Sequence, residues 1–159
     1  MGRPAIYVET SVWSYAFADD APESRAATLD FFQAAREGRY ELFVSEAVLA
    51  EIARASDDLA RELYRLLQEI RPVNLELLED VDVLARRFLE LAAVPPSKLE
   101  DAQHVAVAVV NELDFLVSWN YRHLVNVRRR EAFQHISAMC GYYKPLHIVT
   151  PPEVGDEGQ

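Results

Sequence analysis

Short β-prone blocks alternate along the chain with longer stretches whose apolar residues recur every three or four positions. Residues 5–8 read as a first strand, and it stops at Glu9. Residues 22–37 read as a helix, with Pro22 in the first turn, Leu29, Phe32 and Ala35 recurring, and Gly38 ending it. Residues 40–44 form a second strand. Ser45 can cap a helix to about residue 55 that turns Val48, Leu49 and Ile52 inward. Asp57 can cap another, with Leu59, Leu63, Leu66, Leu67 and Ile70 as its stripe. A further helix covers 79–93 through Val81, Leu84, Ala85, Phe88 and Leu91. Pro95 and Pro96 then break the chain. Ser97 and Glu100 have capping-box spacing before a helix bearing Ala102, Val105, Ala106, Val109, Val110 and Leu113. Residues 114–118 make a strand, 128–140 a helix and 146–149 a last strand.

This alternation predicts an α/β fold on a mainly parallel central sheet of four or five short strands. No repeat or linker divides it, so residues 1–150 are expected to be one domain and 151–159 a flexible acidic tail. A chain of 159 residues, 50% hydrophobic, can bury a sizeable core. Cys140 is the only cysteine, which excludes an intrachain disulfide. Neither a secretory leader nor an apolar run long enough to span a bilayer is visible, so a cytoplasmic protein without membrane contact is expected.

The formal net charge of −10 argues against a polyanion partner. Its distribution changes that picture. Residues 121–150 carry Arg122, Arg128, Arg129, Arg130 and Lys144 against Glu131 alone. A basic segment in an acidic chain can hold a polyanion beside an acidic pocket, or it can be a solvated helix face.

In parallel sheets, ligands bind outside the carboxyl ends of the strands. Four polar residues fall near that edge. Glu9 ends the first strand, Glu51 lies in the second turn of the next helix, Asp101 opens the helix after Ser97, and Asn120 follows the 114–118 strand. Singly, each has a plain explanation: a helix-terminal acid, a solvated position or a turn former. Together, carboxylates pressed into one site repel and resist ionisation, a conflict that a divalent cation removes. Mg2+ and Mn2+ favour such oxygen ligands.

The stretches "IYVETSVWSYAFADD", "FVSEAVLAEI", "PPSKLEDAQHVAVA" and "FLVSWNYRHLVN", in this order and spacing, resemble successive blocks of a PIN-domain protein over about residues 5–150. The resemblance implies a three-layer α/β/α fold and a metal-dependent nuclease, with toxin ribonucleases of the VapC type as relatives. It maps the family's acids onto Glu9, Glu51 and Asp101 and its fourth position onto Asn120. Thr10 or Ser11 matches the supporting hydroxyl. One departure stands out: the first acid is usually Asp, and an extra methylene moves the carboxylate by more than about 1 Å.

The expected mechanism follows. Glu9, Glu51 and Asp101 hold Mg2+ or Mn2+, Asn120 orients water, and Lys98 or Arg122 neutralises phosphate. His104 lies behind the ligands or in the core, and His123 reads as structural. RNA is the substrate that the toxin resemblance implies, with Arg128, Arg129 and Arg130 binding its backbone. Tyr121, Tyr142 and Tyr143 either stack on bases or pack in the core. An antitoxin and a homodimer are the implied partners, with Tyr64 and Phe88 as candidates for an apolar dimer patch. The alternative is a catalytically weak or inactive PIN-like module that binds RNA or protein.

Overall fold

The computed structural model describes residues 2–157. In chain order it runs β1 (Ala5–Val8), α1 (Thr10–Tyr15), α2 (Pro22–Arg36), β2 (Glu41–Ser45), α3 (Glu46–Ala53), α4 (Asp57–Ile70) and β3 (Val73–Leu75). It continues with α5 (Glu79–Glu90), α6 (Leu99–Val110), β4 (Phe115–Val117), α7 (Val127–Met139), β5 (His147–Val149) and α8 (Pro151–Glu157). The five strands form one parallel sheet in the order β3-β2-β1-β4-β5, flanked by helices in an α/β/α sandwich.

β1 is the central strand. It pairs Tyr7 with Phe43 on one side and Val8 with Val117 on the other. The strand order reverses between β1 and β4, so a crevice opens at their carboxyl ends. Ile6, Tyr7 and Val8 are fully buried, as both faces of a central parallel strand require. Glu9, one residue later, is therefore placed where the sheet ends and the crevice begins. α3 packs against α6, which brings the helices bearing Glu51 and Asp101 together over this edge.

Several expectations are corrected. β3 has only three residues, mostly exposed, and no alternating pattern announces it. Residues 10–15 form α1, whose start is capped by Glu9 and not by a Ser, Thr, Asp or Asn. Ser56, not Asp57, caps α4 by accepting from the Leu59 N–H. Ser97 does not cap α6: Lys98 takes that position without a side-chain bond, and Glu100 pairs with Arg54 instead of reaching back. The tail is not loose over the described residues. Pro151–Glu157 is helical, Val154 is fully buried, and α8 packs on α2. Thr150 donates to the Glu153 carboxylate through both its N–H and its hydroxyl, which fixes the helix start. Residues 158–159 of the expected tail lie outside the described residues.

Phe88, expected at a dimer patch, is fully buried edge-on against Phe133 and cannot face a partner. Tyr64 is exposed. Among the described residues, no helix is long and apolar enough to cross a membrane.

Candidate active site

Glu9 answers a local need of the chain before it answers any ligand. Its backbone is extended as β1 ends and α1 begins, and its carboxylate folds back over the new helix. Oε2 accepts from the Ser11 N–H at 3.1 Å. Oε1 accepts from the Ser11 hydroxyl at 2.6 Å and the Ser118 hydroxyl at 2.5 Å. The side chain thus satisfies an orphan donor of the α1 N-terminus and ties it to the end of β4. Ser11 Oγ accepts from the Trp119 N–H, and Ser118 Oγ from the Asn120 N–H, so the β4 exit is held to Glu9 by hydroxyl bridges. Three hydrogen bonds let a carboxylate remain at 5% exposure without an arginine.

Glu51 projects from the second turn of α3 toward α6. Its Oε1 accepts from His104 Nε2 at 2.5 Å and from the Thr10 hydroxyl at 3.1 Å. Thr10 and Ser11, adjacent in sequence, therefore serve different acids. His104 is wholly buried. Its other nitrogen, Nδ1, lies 2.6 Å from the Tyr7 hydroxyl, which in turn lies 2.8 Å from Ser45 Oγ.

Asp101 and Asn120 sit beside these groups, where a cleft of about 370 Å3 is lined by Glu51, Lys98, Glu100, Asp101, Asn120 and His123, among others. His123 Nδ1 is 3.3 Å from Asp101 Oδ2. Asn120 Oδ1 accepts from the His123 N–H, which leaves the donors of the amide NH2 group for other partners. Lys98 stands at the α6 entrance to the cleft.

The electrostatics follow from this packing. Burial, then the charge of Glu9, raises the Asp101 carboxyl above its ordinary value. Burial also pushes Glu51 upward, but the hydrogen bond and charge of His104, with the Thr10 hydroxyl, outweigh it and hold Glu51 below the usual range. Burial pushes His104 down, and its bond to Glu51 with the charges of Glu9, Glu51 and Asp101 carries it above the ordinary histidine value.

An oxygen of Glu9, an oxygen of Glu51 and a nitrogen of His104 lie within 4.8 Å of one another. Asp101 lies outside that tight trio and joins it through its charge interactions with Glu9 and Glu51. The donor set fits a hard divalent cation. Both ring nitrogens of His104 are already engaged, so the oxygens of Glu9 and Glu51 are the available ligands, and Asp101 lines the same cleft as Glu51.

The basic residues disperse. Arg129 donates to the Ala93 carbonyl at 2.8 Å and Arg130 to the Ile148 carbonyl at 3.2 Å. Both guanidinium groups tie α7 to the rest of the fold, away from the cleft lining. Arg122 and Arg128 are exposed, as are Tyr121 and Tyr143, while Tyr142 packs partly against the core. Tyr7, Ser45 and Ser118 were not among the expected site residues. Tyr7 and Ser45 read as strand and cap residues, and Ser118 is signalled only by its place at a strand end.

Carboxylates from three elements meeting at the carboxyl edge of a five-stranded parallel sheet define a class of fold and site. The chain belongs to the PIN domain family, whose model matches residues 6–127, a span that includes Glu9, Glu51, Asp101 and Asn120. Members of this family are generally nucleases and typically use divalent metals. No curated protein matches the chain. Among solved structures it is similar in fold to the crystal structure of VapBC2 from Rickettsia felis bound to a DNA fragment from their promoter. The identity is 16% and the TM-score 0.55, over 91% of this chain and 98% of that one.

Proposed function

We propose that this protein is a Mg2+- or Mn2+-dependent endoribonuclease and the toxin of a toxin–antitoxin pair, working in the cytoplasm. The observation that carries the reading is the approach of Glu9 and Glu51 oxygens to within 4.8 Å at the carboxyl edge of the central strand, with Asp101 electrostatically coupled to both. Glu9, Glu51 and Asp101 would hold the ion. When bound, it would polarise the scissile phosphodiester and make water more acidic.

The remaining work falls to the chain. Ser11 and Ser118 hold the Glu9 carboxylate in place, and Thr10 with His104 does the same for Glu51. Asn120 presents its amide hydrogens toward a water or phosphate oxygen. Lys98 and Arg122 offset phosphate charge. The antitoxin partner is extended to this chain from the VapBC2 neighbour, and RNA from the family resemblance.

The test is cleavage of single-stranded RNA with Mn2+ or Mg2+ added to metal-free protein. Asp101→Asn is expected to keep the fold and lose at least about 100-fold in rate, as active sites do when a positioned group is lost. Metal-independent cleavage, or full activity in Asp101→Asn, rejects this site.

One observation favours a second reading, a non-cleaving PIN-like module that binds RNA or protein. The Glu9 carboxylate is nine-tenths buried and already satisfied by three hydrogen bonds. RNA binding without cleavage under any divalent metal would select it.

A further inference from the structure

Behind the acids, the same three elements meet a second time. β1 stops one residue before Glu9 and carries Tyr7, two residues before Glu9 and on the same side of the extended chain. α6 carries Asp101 and, three residues on, His104. α3 carries Glu51 and is capped by Ser45. Tyr7, His104 and Ser45 are each fully buried. Their contacts run in sequence: the Ala47 N–H donates to Ser45 Oγ at 3.1 Å, Ser45 Oγ meets the Tyr7 hydroxyl, Tyr7 meets His104 Nδ1, and His104 Nε2 meets Glu51. The path leaves the first turn of α3 and returns to its second turn through β1 and α6.

For a neutral His104 the donors follow from the partners. A carboxylate only accepts, so His104 Nε2 carries a hydrogen. With a neutral imidazole, Nδ1 accepts from Tyr7, the Tyr7 oxygen accepts from Ser45, and Ser45 accepts from the Ala47 N–H. Every donor on the path then has an acceptor. A phenylalanine would fill the same core volume, so packing alone does not call for the hydroxyl of Tyr7. What the hydroxyl adds is direction. Without it the His104 ring has one fixed nitrogen instead of two.

We infer that Tyr7 is a positioning residue for the proposed metal site: through His104 it sets the orientation in which Glu51 faces Glu9. The inference rests on the metal-binding reading above. Outer partners of metal ligands orient them, and losing one typically weakens metal binding by about 10- to 100-fold. A fully bonded buried polar path is also a means of fixing one geometry.

The test compares Mn2+ affinity by calorimetry with thermal stability in metal-free protein, for the unaltered chain and for Tyr7→Phe. Tyr7→Phe is expected to bind Mn2+ about tenfold more weakly while remaining folded. The His104 Nε2–H resonance is expected to be protected from exchange in the unaltered protein and to broaden in Tyr7→Phe. Equal Mn2+ affinity in the two proteins overturns the inference, whatever happens to Tm, because a hydroxyl that only completes the core changes stability alone. Absence of Mn2+ binding by the unaltered protein overturns the metal site and the inference together. Should Tyr7→Phe fail to fold, Ser45→Ala removes the next hydroxyl on the path and Ser45→Thr restores it. Weaker Mn2+ binding in the first and recovery in the second support the inference, and equal binding in both overturns it.

Discussion

The carboxyl edge of the sheet and helix α7 are joined by fewer than ten residues, yet they hold their charges by different means. At the edge, Glu9 and Glu51 receive their hydrogen bonds from serine, threonine and histidine, and they stay within reach of each other. On α7, Arg129 and Arg130 reach away from the cleft to main-chain carbonyls of Ala93 and Ile148. A carboxyl carbon lies only a short stem from its Cα, in Asp and Glu alike, and goes where the backbone puts it. A guanidinium sits at the end of a long, flexible stem and goes to whichever acceptor repays it. Placing an acid at a strand end is therefore informative about a site, whereas a run of arginines is informative only about a region.

The largest effect expected from breaking this contrast is on the acids. Glu51→Gln keeps a hydrogen-bond acceptor for His104 and Thr10 but removes the charge. It is expected to abolish measurable Mn2+ binding and to lower RNA cleavage by at least about 100-fold, like Asp101→Asn. Retention of both in Glu51→Gln would separate Glu51 from the site.

Arg129→Ala is the matching break on the other side. It frees the Ala93 carbonyl from a charged donor and is expected to cost about 1.5–3 kcal/mol of stability. Mn2+ affinity should be unchanged, and the salt dependence of RNA binding should stay as it is. If urea unfolding shows no loss while the salt slope falls, Arg129 belongs to the RNA surface and the contrast drawn above fails.

Glu9→Ala sharpens the acid side by a smaller amount. Removing the α1 cap is expected to destabilise the metal-free protein by about 1 kcal/mol, equivalent to roughly 2–4 °C in Tm. Relief of repulsion with Asp101 works in the other direction. The cap dominates because Ser11, Ser118 and the α1 N-terminus all lose their acceptor. A rise in Tm would mean that repulsion wins.

Much of this was legible in the chain. The central strand, the helix bearing Glu51 and the helix bearing Asp101 follow from apolar spacing, and their order alone brings four polar groups to one edge. The hydroxyl path was not legible. Tyr7 looks like any strand aromatic and Ser45 like any cap, and only the packing of α3 on α6 puts them on one hydrogen-bonded path. α1 was hidden because its cap is a glutamate, a residue outside the usual capping set. α8 was announced by Thr150, Pro151 and Glu153, a capping pattern with proline in the first turn, but the acidic composition after it masked the signal. β3 was too short and too exposed for any periodicity to register.

pH separates the hydrogen-bonded Glu51–His104 pair from Asp101. Glu51 is lowered in the folded state, so its contribution is present above the ordinary carboxylate range and is lost as pH falls through its folded value. His104 is raised, so its contribution is complete below about pH 6.5 and is lost as pH rises through its folded value. Asp101 is raised as a carboxyl, so its ionisation opposes folding as pH climbs past its ordinary value. Metal-free protein is accordingly expected to be most stable in mildly acid buffer and to lose Tm above about pH 6.5. Glu51→Gln should flatten that decline. An identical decline in Glu51→Gln would assign it to another group.

The smallest expected effect belongs to the two arginines that remain solvated. Arg122 and Arg128 are exposed and both follow Asn120 in the sequence. Replacing either with Ala should leave stability within about 0.5 kcal/mol. If each neutralises one phosphate of a single strand, each replacement should reduce the slope of log affinity against log salt by about 0.7. The measurement is RNA binding by a cleavage-deficient variant such as Asp101→Asn at several salt concentrations. A slope that falls for Arg122→Ala and not for Arg128→Ala would confine the RNA surface to the turn after β4 and leave all of α7 to the fold. A slope unchanged in both would move the phosphate contacts to Lys98 and its neighbours at the mouth of the cleft, where Lys98→Ala should then carry the loss.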